Sequence, residues 1–203
     1  MNVEETNIEG LYVLSPKLFK DDRGYFYESF NKKLFDKMGI NSDFVQDNES
    51  YSQKGTIRGL HFQKGVHAQA KLVRCSKGVV FDVAVDLRVG SSTFGKWYGV
   101  ILSEENKKQF YVPRGFAHGF SVLSDVAIFN YKCDNFYNKE SESGLFYGDP
   151  LLGIDWKVDT PIVSDKDRVL SCISNLDSED FFHSELPRDS VNKPEAQKSG
   201  ALI

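Results

Sequence analysis

From residue 43 to about 137 the hydrophobic and polar positions of this chain read as strand after strand, with alternation of period two marking half-buried strands. The stretch VFDVAVDL (80–87) shows it best, with Phe81, Val83, Val85 and Leu87 on one face and Asp82, Ala84 and Asp86 on the other. KLVRC (71–75) precedes it across the turn Ser76-Lys77-Gly78, and KWYGVILS, QFYVP, HGFSVLS and VAIFNYKC follow between short polar or Gly/Pro breaks. Residues 10–16 and 24–30 read as earlier strands. NKKLFDKMG (31–39) reads as one short helix closed by Gly39, and LDSEDFF (176–182) as a second. No helical period of ten or more residues separates the strands, so a parallel α/β sheet does not fit. The pattern predicts a mainly β fold, a jelly-roll barrel or sandwich with a few short helices. It covers residues 1–183 as one domain. The remainder, 184–203, is polar and aperiodic and is expected to be loosely ordered.

Composition narrows the picture. At 203 residues, 40% hydrophobic and 27% charged, the chain is long enough to bury a sizeable core. Its 16 Phe and 9 Tyr suit strands. No apolar run approaches the ~20 residues of a membrane helix, and MNVEETNIEG lacks the features of a secretory signal. Cys75, Cys133 and Cys172 are odd in number and form no CxxC pair, which points to free thiols in a reducing, cytoplasmic setting. The net charge of −4, without a basic block, disfavours nucleic acid as a partner. A small anion gripped by a few focused arginines still fits.

Chemistry is sought where polar residues fall on strand faces. His61 in RGLHFQ (58–63) stands between two large apolar residues. Strict alternation places Arg58, Leu60 and Phe62 on one face and Gly59, His61 and Gln63 on the other. Further candidates are Arg23 and Glu28 around GYFYESF, Gln46 and Asn48 in VQDNES, Lys71, His118 in GFAHGF and Tyr131 in FNYK. Any one of them alone is more often a rim residue or a satisfied core group than a reactive one. A metal site is poorly supported: the position two after His61 is Gln63, His67 lies across a loop, and no Glu occurs between 50 and 103. No G-x-S-x-G or Gly-rich phosphate loop occurs either. What remains is acid–base work without a cofactor. A neutral histidine takes a proton, a carboxylate (Asp165 or Asp167) steadies it, a tyrosine returns a proton, and a lysine stabilises an enolate.

Longer blocks carry a resemblance. DDRGYFYESF (21–30), FVQDNES (44–50), IRGLHFQ (57–63), AQAKLVRCSKGVVFDVAVDLR (68–88), YVPRGFAHGF (111–120), YKCDNFY (131–137), GIDW (153–156) and SDKD (164–167) follow one another in order. In these the chain resembles the dTDP-4-dehydrorhamnose 3,5-epimerase family, cofactor-free cupins of dTDP-L-rhamnose biosynthesis. The resemblance implies a cupin-type barrel that epimerises C3 and C5 of dTDP-4-dehydro-6-deoxy-D-glucose. By that resemblance His61 matches the general base, Asp167 its dyad partner, Tyr131 the general acid, and Lys71 the group near the C4 oxygen. His118 would line the sugar site and Arg58 grip pyrophosphate, with Gln46, Asn48 and Tyr137 around the nucleotide. Arg23 and Glu28 would complete the pocket of a partner subunit in a homodimer that exchanges an N-terminal strand. Competing readings are an epimerase acting at C3 or C5 only, a metal cupin, and a sugar-binding module without catalysis.

Overall fold

The computed structural model describes residues 1–182. The alternating segments form strands, as their pattern requires, and every pairing between them is antiparallel. In chain order they are β1 (Asn2–Glu5), β2 (Tyr12–Ser15), β3 (Phe19–Asp21), β4 (Gly24–Phe26), β5 (Gln46–Gln53), β6 (Ile57–Gln63) and β7 (Lys71–Lys77). Then come β8 (Val79–Asp86), β9 (Trp97–Ser103), β10 (Gln109–Val112), β11 (Phe116–Val122), β12 (Val126–Cys133) and β13 (Glu142–Gly144). A six-stranded sheet runs β1-β2-β10-β7-β12-β5 and a five-stranded sheet runs β13-β6-β11-β8-β9. Chain neighbours repeatedly sit in different sheets, the hallmark of a jelly-roll sandwich.

The hydrophobic core has three parts, because both sheets are covered on both faces. Between the sheets pack Val13, Val73, Phe110 and Phe129 from one and Val80, Ala84, Phe120 and Val122 from the other. Outside the five-stranded sheet, Leu60, Phe62, Val83 and Val85 are covered by Leu145, Leu152, Trp156 and Val163 of the long segment after β13. Outside the six-stranded sheet, Leu14 and Leu72 are covered by Phe35 and Ile40. Phe35 belongs to helix α1 (Lys32–Lys37), capped by Asn31, whose side chain accepts from Leu34 N. Gly39 follows at φ 81°, the left-handed conformation anticipated for this helix end.

Several expectations need correction. The N-terminal acidic stretch contains a strand, β1, whose exposed pattern gave no alternation to read. Residues 27–30 are not a strand; β4 ends at Phe26. Over 176–182 there is a single 3-10 turn, Ser178–Asp180. The second helix, α2 (Asp165–Arg168), lies earlier and is capped by Ser164 accepting from Asp167 N. On β8 the apolar face Phe81-Val83-Val85 looks away from the inter-sheet space, and the face bearing Asp82 and Ala84 looks into it. Residues 184–203, read as a tail, lie outside the described residues.

Alternation also fails at one decisive place. On β6 and β11, His61 opposes His118 and Arg58 opposes Phe120. Three steps along β6 therefore match two along β11, a bulge with one extra residue. The bulge is permitted by two glycines whose backbones cross closely. Gly59 sits at φ 137°, and a Cβ there would come within 2.5 Å of Gly119 Cα. A Cβ on Gly119 would in turn lie 2.7 Å from the Arg58 carbonyl oxygen. Arg58 and His61, which strict alternation separates, thus turn to the same side.

Candidate active site

That side is a cavity of about 680 Å³. It is lined by β5 through Ser50 and Ser52, by β6 through Arg58 and His61, by β7 through Lys71, by β11 through His118, by β12 through Tyr131, and by α2 through Lys166 and Asp167. Six candidates named from the sequence meet here: Arg58, His61, Lys71, His118, Tyr131 and Asp167.

The centre is an imidazole–carboxylate pair. His61 Nε2 lies 2.8 Å from Asp167 Oδ1, across 106 positions of sequence. Asp167 Oδ2 also accepts from Gly59 N at 3.4 Å. Burial pushes the Asp167 carboxyl up, but the His61 hydrogen bond and charge, with the bonds from Gly59 and Ser164, outweigh it and hold it below the usual carboxylate value. Asp165, the other candidate carboxylate, is exposed.

Two groups flank the pair. Lys71 Nζ approaches the His61 carbonyl oxygen at 3.4 Å, and burial lowers its pKa from the ordinary value against the opposing charge of Asp82 and Glu142. The Tyr131 phenol is pushed up, first by burial. His118 is buried and its Nε2 lies 2.9 Å from Asp82 Oδ1. Asp82, placed on a strand face by the sequence, was not among the candidate site residues, although a carboxylate inside the run VVFDVAV was the available signal. Arg58 donates from Nε to Ser52 Oγ at 3.0 Å, which aims its guanidinium along the wall. Lys166 and its ion-pair partner Glu142 were also missed. Both lie in short elements, α2 and β13, that carry no periodic signal.

The remaining candidates lie outside this chain's own cavity. Gln46 donates from Nε2 to Asn48 Oδ1 at 3.1 Å and accepts from Tyr137 N at 3.1 Å. Tyr137 also donates its hydroxyl to Glu142 at 2.9 Å. Asn48 pairs directly with Tyr131 across β5 and β12, so this group continues the cavity wall along the sheet. Arg23 sits at the tip of the β3–β4 ribbon, paired with Asp21 at 2.6 Å and with 90% of its side chain exposed. Glu28 accepts from Asn31 Nδ2 at 3.1 Å. Among the described residues no group of three or more His, Cys, Asp and Glu side chains is arranged to hold a metal ion. No helix among them is long and apolar enough to cross a membrane.

Barrel and cavity together define a cupin whose polar centre is equipped for proton transfer. Comparison with known proteins makes this particular. The chain matches the family model of dTDP-4-dehydrorhamnose 3,5-epimerase over residues 5–175, and it belongs to that family. It is 55% identical over 168 residues to the dTDP-4-dehydrorhamnose 3,5-epimerase of Shigella flexneri, covering 82% of this chain and 93% of the relative. The crystal structure of the enzyme of that name from Elizabethkingia anophelis superposes with a TM-score of 0.82 at 56% identity, covering 86% of this chain and 97% of the other. The dTDP-6-deoxy-D-glucose-3,5-epimerase of Legionella pneumophila, solved with dTDP-4-keto-L-rhamnose, superposes with a TM-score of 0.88 at 49% identity, covering 91% and 99%.

Proposed function

We propose that this protein is an isomerase that inverts C3 and C5 of dTDP-4-dehydro-6-deoxy-D-glucose to give dTDP-4-dehydro-L-rhamnose. The observation that carries the reading is the His61–Asp167 pair at 2.8 Å, facing a cavity that Lys71 and Tyr131 also line. Both carbons flank the C4 ketone, so each proton is acidic for the same reason: the charge left behind moves onto O4. Asp167 accepts from His61 Nε2, which leaves Nδ1 as the base. Lys71 stabilises the oxyanion. Tyr131, kept protonated by its raised pKa, returns a proton from the opposite face. One base and one acid serve both centres if the ring turns over between steps. Arg58, beside Ser50 and Ser52, binds the pyrophosphate; Gln46, Asn48 and Tyr137 bind the nucleotide, and His118 contacts the sugar.

The test is incubation with dTDP-4-keto-6-deoxyglucose in D₂O, followed by proton NMR. Deuterium at both C3 and C5 supports the reading. Exchange at one carbon only would replace it with a monoepimerase, and no exchange would remove it. Tyr131→Phe should fold normally and lose about 10²- to 10⁴-fold in epimerisation. Deuterium exchange on the base's own face should persist, because His61 remains. Loss of exchange as well would contradict the division of labour between the two groups.

The molecule also works as a homodimer in this reading, with the N-terminal ribbon exchanged and Arg23 and Glu28 completing the partner subunit's pocket. Supporting this, the β3–β4 ribbon exposes Phe19, Tyr25 and Phe26, an apolar surface that free solvent disfavours. Light scattering should give twice the chain mass of 23.0 kDa. A monomer in solution at assay concentration that retained full activity would refute it.

A further inference from the structure

Asp82 lies in the middle of β8 with none of its surface exposed. A carboxylate is kept in such a place only where something compensates its lost hydration. Both of its oxygens face one group, His118 Nε2, at 2.9 and 3.1 Å. In the ladder between β8 and β11, Ala84 opposes His118 and Asp82 opposes Phe120, so the carboxylate reaches the ring from a diagonal position. The ring is also held nearly parallel to Phe129, with centroids 6.2 Å apart.

The barrel therefore holds two carboxylate-backed imidazoles, His61 and His118, directly opposite each other on β6 and β11. They differ in access. The His61 side chain is 32% exposed and that of His118 only 7%. Burial works against a charge on the His118 ring, with Asp82 opposing that effect and Lys71 and His61 adding to it. A neutral ring that donates from Nε2 leaves Nδ1 as a hydrogen-bond acceptor.

Asp82 also acts through its charge on Lys71. The groups whose charge bears on Lys71 are Cys133 from β12, Asp82 from β8, Glu142 from β13 and His118 from β11. Of these, Cys133 is neutral at ordinary pH, its thiol pushed up to about 11 by burial. Glu142 is engaged by Lys166 and Tyr137. That leaves Asp82 as the interior carboxylate set against Lys71; burial pushes its carboxyl up, while the charge and hydrogen bond of His118 and the charge of Lys71 pull it down. We propose that Asp82 is a positioning residue of this site, one that turns His118 so that Nδ1 accepts from a substrate hydroxyl and that balances the ammonium of Lys71. It acts through these two side chains and touches no substrate. The inference rests on the epimerase reading above.

Asp82→Asn removes the charge while keeping the shape and an acceptor for His118. In the full chain, with the dTDP-4-ketosugar as substrate, kcat/KM should fall about tenfold or more, kcat dropping with the unbalanced Lys71 and KM rising with the misturned His118, and the alkaline limb of kcat should move to lower pH. The direction follows because a lysine without its negative neighbour gives up its proton more readily. Added to Lys71→Ala, the same change should cost little further in kcat, since the two act as a unit. A kcat and pH profile equal to those of the unchanged enzyme, with only a lower melting temperature, would overturn the proposal. An unchanged enzyme inactive on this substrate would instead remove the epimerase reading. Should Asp82→Asn not fold, the unchanged protein labelled with ¹⁵N-histidine and ¹³C-lysine gives the answer. His118 should be the Nε2–H tautomer and Lys71 should stay protonated through neutral pH; an Nδ1–H ring, or a Lys71 neutral at pH 7, would overturn it.

Discussion

His61→Ala should lower kcat by about 10²- to 10⁴-fold, the range for loss of a general base. It should also stop solvent deuterium from entering both C3 and C5. The two readouts belong together. If one imidazole takes both protons, neither carbon exchanges once the ring is gone. The fold should survive, because the His61 side chain is one-third exposed on the cavity side and no core cluster depends on it. Asp167 loses its 2.8 Å partner but keeps the bonds from Gly59 N and to the Ser164 cap. The loss of one charge-assisted hydrogen bond is worth about 1.5–3 kcal/mol, a moderate drop in melting temperature. Exchange continuing at the original rate in a folded His61→Ala protein would sink the assignment. Exchange lost at one carbon alone would require a second base, for which His118 is the group to examine.

Lys71→Ala carries the next largest expected effect, about 10²- to 10³-fold in kcat, the loss typical of one oxyanion donor. KM should move much less, because the interaction grows only as charge develops on O4. The sign on stability is less obvious and follows from burial. Desolvation disfavours the Lys71 ammonium in the folded state, so its removal relieves a penalty that offsets the loss of attraction to Asp82. The melting temperature should therefore change little. The same desolvation makes a pH prediction for the unchanged enzyme. Lys71 loses its proton below the ordinary lysine value, whereas Tyr131 is shifted upward. The alkaline limb of kcat should therefore report Lys71, and it should disappear from the residual activity of Lys71→Ala. A limb that survives that substitution would belong to another group.

Much of this was legible before any fold was built. Alternation in VFDVAVDL and VAIFNYKC located strands because a pleated backbone sends successive side chains to opposite faces whatever surrounds it. The α1 helix was readable from Asn31 to Gly39 because caps and left-handed glycines act within a few residues. Chemical inventory was readable too: few histidines, no Gly-rich phosphate loop, and His61, Lys71 and Tyr131 on strands. Blocks from DDRGYFYESF to SDKD pointed to the family.

What the chain order could not reveal was decided by contacts between distant segments. The alternation of β8 is clear, yet which face looks into the cavity depends on the cover supplied by residues 145–163. That cover buries the apolar face and leaves Asp82 inside the sandwich. The bulge in β6 arises where Gly59 passes Gly119, sixty residues away in sequence, and only this crossing turns Arg58 and His61 toward one space. Asp165 and Asp167 are equivalent as letters; α2, capped by Ser164, presents only Asp167 to the imidazole. Local backbone geometry thus determined the elements and the supply of reactive groups. Close packing of elements far apart in the chain decided which of those groups share a cavity, because facing and register are set by what each strand meets and not by the strand itself.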